Sequence, residues 1–448
     1  MFATATGQTP GAIYELLSRG LKDKYFFSSE GETATTPFSN TFTKAPRHIS
    51  ETRQSISTGA TNFASTIEFD LDRYGDILTD VWFQIDLPSW IPSSLNVTNP
   101  ANFRDASGNI YTYQDAAGFF LFENIQILQG QMTILETSGD ALYWLSGTRR
   151  RLGAAELIRQ LGGDSGSGSG GSDLRIKIPF PGCQGDREGG FPLCALPDKT
   201  YKIRAKLRKL ADIVSWSRST ATPWGKDFYN IETGDYAFTA LNEYDIAQPT
   251  ITLETTQAYI PQETSLSIRR SIASDATRIH IPYLTHYEQA FQIRPNGRQP
   301  YLLEPKHPSE AIYIYAREQG AARLKDISAT AIEAIEFTLA GRQREFEWNT
   351  RILSDVAAHA KMVSPPPVPG ALFTFNWSLG DIHRPSSQDP MQRRPEGTIN
   401  FSEADRPTLY VTPSPAVKKE PPVFMHVIVE SWKIYNIESD GRGRVAFI

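Results

Sequence analysis

The apolar and polar positions of this chain alternate with period two over many short stretches. Tyr201, Ile203, Ala205 and Leu207 alternate with Lys202, Arg204, Lys206 and Arg208, and just before them Leu174, Ile176 and Ile178 alternate with Arg175 and Lys177. Such alternation sets one face into a core and the other against water or a partner, so each stretch predicts a half-buried strand. Val81, Phe83, Ile85 and Leu87 share a face opposite Trp82, Gln84 and Asp86, and Pro88 should stop that strand by withdrawing a donor. Further strands are predicted at 66–71 and 120–128, then after Gln262 at 278–281, 311–315, 332–339, 372–379, 408–412 and 423–435. Turn residues such as Pro295-Asn296-Gly297 and Ser364-Pro365-Pro366-Pro367 separate them. One helix is predicted at 148–161, from Leu152, Ala155, Ile158 and Leu161, and the Gly/Ser run 162–172 reads as a surface loop. Leu128-Gln129-Gly130-Gln131 and Leu339-Ala340-Gly341-Arg342 leave their strands in similar ways, a faint echo between the halves.

The pattern predicts an all-β protein built as two successive sandwiches. At 448 residues the chain exceeds what one core usually serves. The organisation expected is an N-terminal arm over 1–46, a first sandwich over 47–262 and a second over 263–448, with Tyr259 to Glu263 as the crossing segment. In the arm, Ile13, Leu16, Leu17 and Leu21 lie at helical spacing, followed by Ser/Thr/Gly-rich sequence from Ser28 to Thr43. Either a flexible terminus or an arm ordering on a neighbouring subunit or underlying layer fits this. The 24 Phe, 18 Tyr and 8 Trp supply core material, and 30 Pro and 32 Gly suit many turns. A net charge of −5 argues against nucleic acid as the main partner. Two cysteines, Cys183 and Cys194, predict free thiols in a reducing compartment. No secretory leader pattern is visible, and the densest apolar run, Ala117 to Phe122, falls far short of a membrane span, so the expectation is a soluble chain made in the cytosol.

No catalytic constellation emerges. His48, His280, His286, His307, His359, His383 and His426 are scattered without a His-x-His pair, so neither a metal site nor a cupin-like enzyme is expected. Nucleophile elbows, zinc-protease pairs and phosphate-binding loops do not occur, and no catalytic, metal or cofactor residues are assigned. Asn96, Asn376 and Asn400 open glycosylation triplets that read as coincidence without a secretory route. Arg149-Arg150-Arg151 and the row Lys202, Arg204, Lys206 and Arg208 are basic; each is either a solvated face or an edge guard, or else pairs with acids across a subunit interface. Nucleic-acid binding ranks below these, since no aromatics interleave with the charges. Trp82, Trp144, Trp224 and Trp377 would be platforms in a carbohydrate-binding sandwich, and core residues otherwise.

Several segments carry a specific resemblance. A strand, a Gly/Pro-rich loop and Phe191-Pro192-Leu193-Cys194-Ala195-Leu196 lead into a strand of alternating charge. Ala12 to Phe26, Gly75-Asp76-Ile77-Leu78-Thr79-Asp80, Gly397 to Leu409 with its Asn400-Phe401-Ser402, and Tyr435-Asn436-Ile437 followed by Gly441 and Gly443 accompany it in order. Together they resemble the major capsid proteins of nucleocytoplasmic large DNA viruses. That resemblance implies two consecutive eight-stranded jelly-roll sandwiches with a few short helices in loops. It implies a homotrimer whose six lobes form a pseudo-hexameric capsomer, tiling an icosahedral virion made in the host cytoplasm. The partners implied are further copies and minor capsid proteins, with an internal membrane as another candidate and no direct nucleic acid. Ile13, Leu16, Leu17 and Leu21 become inner-face contacts, and Lys202, Arg204, Lys206 and Arg208 subunit-interface candidates. A diverged minor or vertex paralogue is the alternative within the family.

Overall fold

Each of the sixteen principal strands takes its place from the alternation of its side chains. In the computed structural model the described residues are 48–88, 97–99, 104–105, 110–114, 116–146, 171–183, 190–196, 200–217, 229–230, 235–236, 247–273, 279–295, 297–305, 307–318, 330–357, 371–377, 397–401, 406–415, 417, 422–438 and 443–447. The first eight strands are β1 (Ile49–Ile56), β2 (Thr66–Asp70), β3 (Ile77–Leu87), β4 (Phe122–Gln129), β5 (Met132–Thr137), β6 (Gly171–Lys177), β7 (Tyr201–Leu207) and β8 (Thr250–Tyr259). They form two antiparallel sheets, in the orders β1-β8-β3-β6 and β2-β7-β4-β5. The next eight are β9 (Ile279–Ile293), β10 (Gln299–Leu302), β11 (Pro308–Glu318), β12 (Ile332–Leu339), β13 (Arg342–Asn349), β14 (Phe373–Asn376), β15 (Thr408–Pro413) and β16 (Val423–Ile437). Their sheets run β9-β16-β11-β14 and β10-β15-β12-β13, the same two orders shifted by eight. Each half is therefore an eight-stranded jelly roll. Among the described strands no ladder joins one half to the other.

Burial follows the predicted alternation. Val81, Phe83, Ile85 and Leu87 are buried, and β3 ends at Leu87 just before Pro88. Phe83 stacks on Phe122 at 4.9 Å and lies 5.3 Å from Phe69, across the two sheets of the first roll. Ile312, Ile314, Phe337, Phe375, Val427 and Val429 fill the second. Each such side chain contributes roughly 1.5–3 kcal/mol by leaving water. The long connections β3–β4 and β7–β8 meet each other, Val214–Ser217 pairing with Ile110–Tyr113.

Two helices depart from the reading of the sequence. Helix α1 (Gly139–Ser146) follows β5, where Ser138 Oγ accepts from the Ala141 amide as its cap. Gly139 is required there, because a Cβ would stand 1.9 Å from the Phe119 carbonyl oxygen. Helix α2 (Gln262–Ala273) occupies the segment expected to be a plain crossing. Its inward face is Thr264, Ser265, Ile268 and Ser271, mostly small and polar, so it carries no hydrophobic period. The helix expected at 148–161, Arg149 to Arg151, the Gly/Ser residues 162–170, Asn96, Trp224 and the arm residues Ile13, Leu16, Leu17 and Leu21 lie outside the described residues.

Candidate functional site

The most chemically loaded place in the molecule is the seam where the outer face of β9-β16-β11-β14 meets β5 and α1. Residues Ile49–Ile448 form one compact unit, and the seam is what joins its rolls. Asp140, on α1 and 1% exposed, pairs with Arg208 from the end of β7 and with Arg317 from β11, the latter at 3.0 Å. Burial alone would raise the Asp140 carboxyl, but the two guanidiniums outweigh it and hold the group below its ordinary value. For Arg317 burial works against the charge, and the facing Asp140 carboxylate overrides it, so its proton is held more tightly than usual. Ser138 donates to Glu288 Oε2 at 2.5 Å, Tyr315 donates to Glu288 Oε1 at 3.3 Å, and His426 lies flat on the Tyr315 ring at 4.9 Å. His286 sits 3.4 Å from Thr137 and 3.7 Å from Glu430, to which Tyr313 also donates. Beside these groups lies a cleft of about 980 Å³, lined among others by Glu136, Asp212, His307 and Lys433.

A second, apolar part of the seam explains three of the sequence motifs. Tyr435, from β16, inserts between Phe191 and Tyr201 of the first roll. Its hydroxyl donates to Gln129 Oε1 at 2.8 Å and lies 3.2 Å from the Tyr201 hydroxyl. Desolvation pushes the Tyr435 phenol up to about 12. Gly443 passes over that hydroxyl so closely that a Cβ would fall 1.6 Å from it. The Phe191 to Leu196 run is held on β3: Leu78 and Phe191 exchange backbone hydrogen bonds at 2.9 and 2.7 Å, and the Cys194 amide donates to the Asp76 carbonyl. Asp76 in turn accepts from the Ile260 amide and from Ser265 Oγ, both at 3.1 Å, while Arg269 donates to the Cys194 carbonyl at 2.8 Å. Thus α2 is clasped to the first roll by the Gly-Asp and Phe-Pro-Leu-Cys-Ala-Leu segments. The first core continues through this region into Tyr283, Tyr313, Tyr315 and Ile428 of the second roll.

Comparison with solved structures places this topology. VP54 of PBCV-1 superposes with a TM-score of 0.65 at 14% identity, covering 92% of this chain and 100% of that one. The Faustovirus major capsid protein gives 0.61 at 12% identity, covering 95% and 96%. The fold is the double jelly roll of viral capsid proteins. A protein named "Probable capsid protein 4" from Acanthamoeba polyphaga mimivirus is 25% identical over 256 residues, 54% of this chain and 45% of that one. The match thus spans under half of that relative's length. No protein-family model matches the chain.

Within the double jelly roll the basic row sits on the outer face of β2-β7-β4-β5 and is already paired inside the chain. Lys202 approaches Glu68 and Asp70 at 3.7 and 3.3 Å, Arg204 meets Glu68 at 2.7 Å, and Lys206 meets Glu123 at 2.8 Å. Arg208 leaves this row. The strand ends at Leu207, and the guanidinium turns inward to Asp140 and to the Phe120 carbonyl. Cys183 and Cys194 are both buried thiols, Cys183 donating to the Leu78 carbonyl. Desolvation raises the Cys194 thiol above its usual value. Trp144 is fully buried against Tyr315, and Trp377 packs on Phe337 and Phe401, so these two serve the core and not a sugar platform. Phe401 of the Asn-Phe-Ser segment is likewise a core residue of the second roll.

Sequence reasoning missed the seam because its charged members come from α1, β9, β11 and β16 and share no local pattern. The signal that could have found it is the short capping sequence Ser138-Gly139-Asp140 directly after a strand.

Proposed function

We propose that the chain is a structural capsid protein, not an enzyme: three copies associate into a pseudo-hexameric capsomer, and capsomers tile an icosahedral virion shell. The observation that carries this is the tandem repetition of one jelly-roll topology, with both rolls held in a single compact unit. Two similar lobes per chain give six per trimer, and a closed ring of head-to-tail contacts satisfies every lobe. The mimivirus relative's name points the same way. In this reading 1–46 is an arm, 47–262 and 263–448 are the two rolls, and Ile13, Leu16, Leu17 and Leu21 face the particle interior. Minor capsid proteins and an internal membrane are the further partners, with synthesis in the host cytoplasm. Trimer contacts of the obligate kind bury on the order of several thousand Å². Size-exclusion chromatography with light scattering should report a particle of three 50.0 kDa chains, and electron microscopy should show hexagonal tiles. A chain that stays monomeric across concentration and salt refutes the proposal.

A further inference from the structure

The seam inside the chain is a contact between unlike surfaces. The outer face of a sheet in the second roll is covered by a hairpin strand and the helix after it in the first. Because the rolls share one topology, each possesses both surfaces, and one of each is left over. The leftover face is the outer side of β1-β8-β3-β6, and the leftover cover is β13 with the helical turn Ile352–Ala357.

The correspondence holds at the level of paired residues. On β3 and β8, Trp82 stands opposite Glu254 and Gln84 opposite Thr252; on β11 and β16, Tyr313 stands opposite Ile428 and Tyr315 opposite His426. In the seam these positions are sealed: Tyr313, Tyr315 and Ile428 are at most 2% exposed. Their counterparts Trp82, Gln84, Thr252 and Glu254 are all only half-buried. The face has an aromatic centre, Trp82 beneath the Lys177 ammonium at 5.7 Å. A rim of satisfied charge surrounds it, Lys177 with Asp80 at 3.0 Å and Arg175 with Glu254 at 3.4 Å. An apolar centre inside a paired polar rim is the usual anatomy of a protein contact. The leftover cover matches its precedent too. After β13, Asn349 Oδ1 accepts from the Arg351 amide, as Ser138 caps α1 after β5, and on the turn that follows Ile352 is 41% exposed.

We infer that the outer face of β1-β8-β3-β6 receives β13 and the Ile352–Ala357 turn of a second copy of this chain, repeating between molecules the contact already made within one. This rests on the self-assembly reading above and names its interface. Such a contact is head-to-tail, so it propagates around a ring.

The test is the association of the full chain, measured by sedimentation velocity on the wild type and on Trp82→Glu, Ile352→Arg and Arg204→Glu. Trp82→Glu and Ile352→Arg should each weaken association by at least about 100-fold, as loss of a central anchor does. Arg204→Glu, on the outer face of the other sheet, should associate like the wild type. Circular dichroism melts show whether each variant is folded, and Thr252→Arg, a rim position on the same face, replaces Trp82→Glu if that variant is not. Wild-type assembly that persists in the Trp82 or Thr252 variant and in the Ile352 variant overturns the interface and leaves the capsid reading standing. Dissociation by Arg204→Glu alone moves the contact to the other sheet and also overturns it. A wild-type chain that never associates overturns the capsid reading itself.

Discussion

Replacing Asp140 by Asn removes one charge from the seam while keeping the side-chain shape. Asp140 is buried with Arg208 and Arg317 on it, and those guanidiniums are themselves only about a tenth exposed. Taking away the acid leaves two cations facing a neutral amide out of reach of water. Breaking a buried pair by removing one partner costs about 3–5 kcal/mol. The unit Ile49–Ile448 has about 400 residues, and at about 2.1 cal/mol/K per residue its unfolding entropy is roughly 0.8 kcal/mol/K. The expected loss is therefore about 4–6 °C in melting temperature by differential scanning calorimetry at neutral pH. Because the acid joins elements of both rolls, the single transition should also broaden or split. The pH dependence has a definite sign. The folded carboxyl is held below its ordinary value of 3.8, so its stabilisation is fully present above that pH and is lost as pH falls through the lower folded value. The gap between wild type and Asp140→Asn should accordingly stay constant from neutral pH down to about pH 5 and close below about pH 4. A variant that melts within about 1 °C of wild type at neutral pH would refute the seam as the weld between the rolls.

Other outcomes follow from the same contacts. Tyr435→Phe removes the bonds to Gln129 and Tyr201 and should cost about 1–3 kcal/mol in chemical denaturation, since Gln129 Oε1 then loses its donor in a buried place. Asp76→Ala strips the acceptor from the Ile260 amide and Ser265, so limited proteolysis should cut within Gln262–Ala273 faster than in wild type. Cys183 and Cys194 should resist a thiol reagent in the native protein and both react within seconds in denaturant; rapid native labelling would contradict their burial.

The strands were legible because each half-buried strand writes its own alternation. Tyr201 to Leu207 reads buried and solvent-facing in strict turn. The echo between Gly130 and Ala340-Gly341 marks corresponding positions, the β4–β5 and β12–β13 hairpins. In the first, Gly130 takes φ +60° at the leading turn position; in the second, Ala340 and Gly341 both take positive φ. Helix α2 was hidden because clasping by Asp76 and Arg269 replaces the apolar stripe that would announce it. Arg208 was misplaced by parity: alternation continues on paper past Leu207, but the strand does not. Asp76, Tyr435 and Gly443 stood out only by resemblance, and the physical reason for each depends on a partner far away in the chain.

The insertion of Tyr435 beside Phe191 and Tyr201 also sets an order of events during synthesis. The first core borrows side chains that the ribosome adds well after β8 has emerged, so the leading roll cannot seal itself while it is being made. At typical translation speeds of about 5–20 residues per second, the stretch between β8 and β16 takes roughly 10–35 s. Throughout that wait the nascent polypeptide shows an unfinished apolar flank, and it relies on chaperones or on its own tail to cover it.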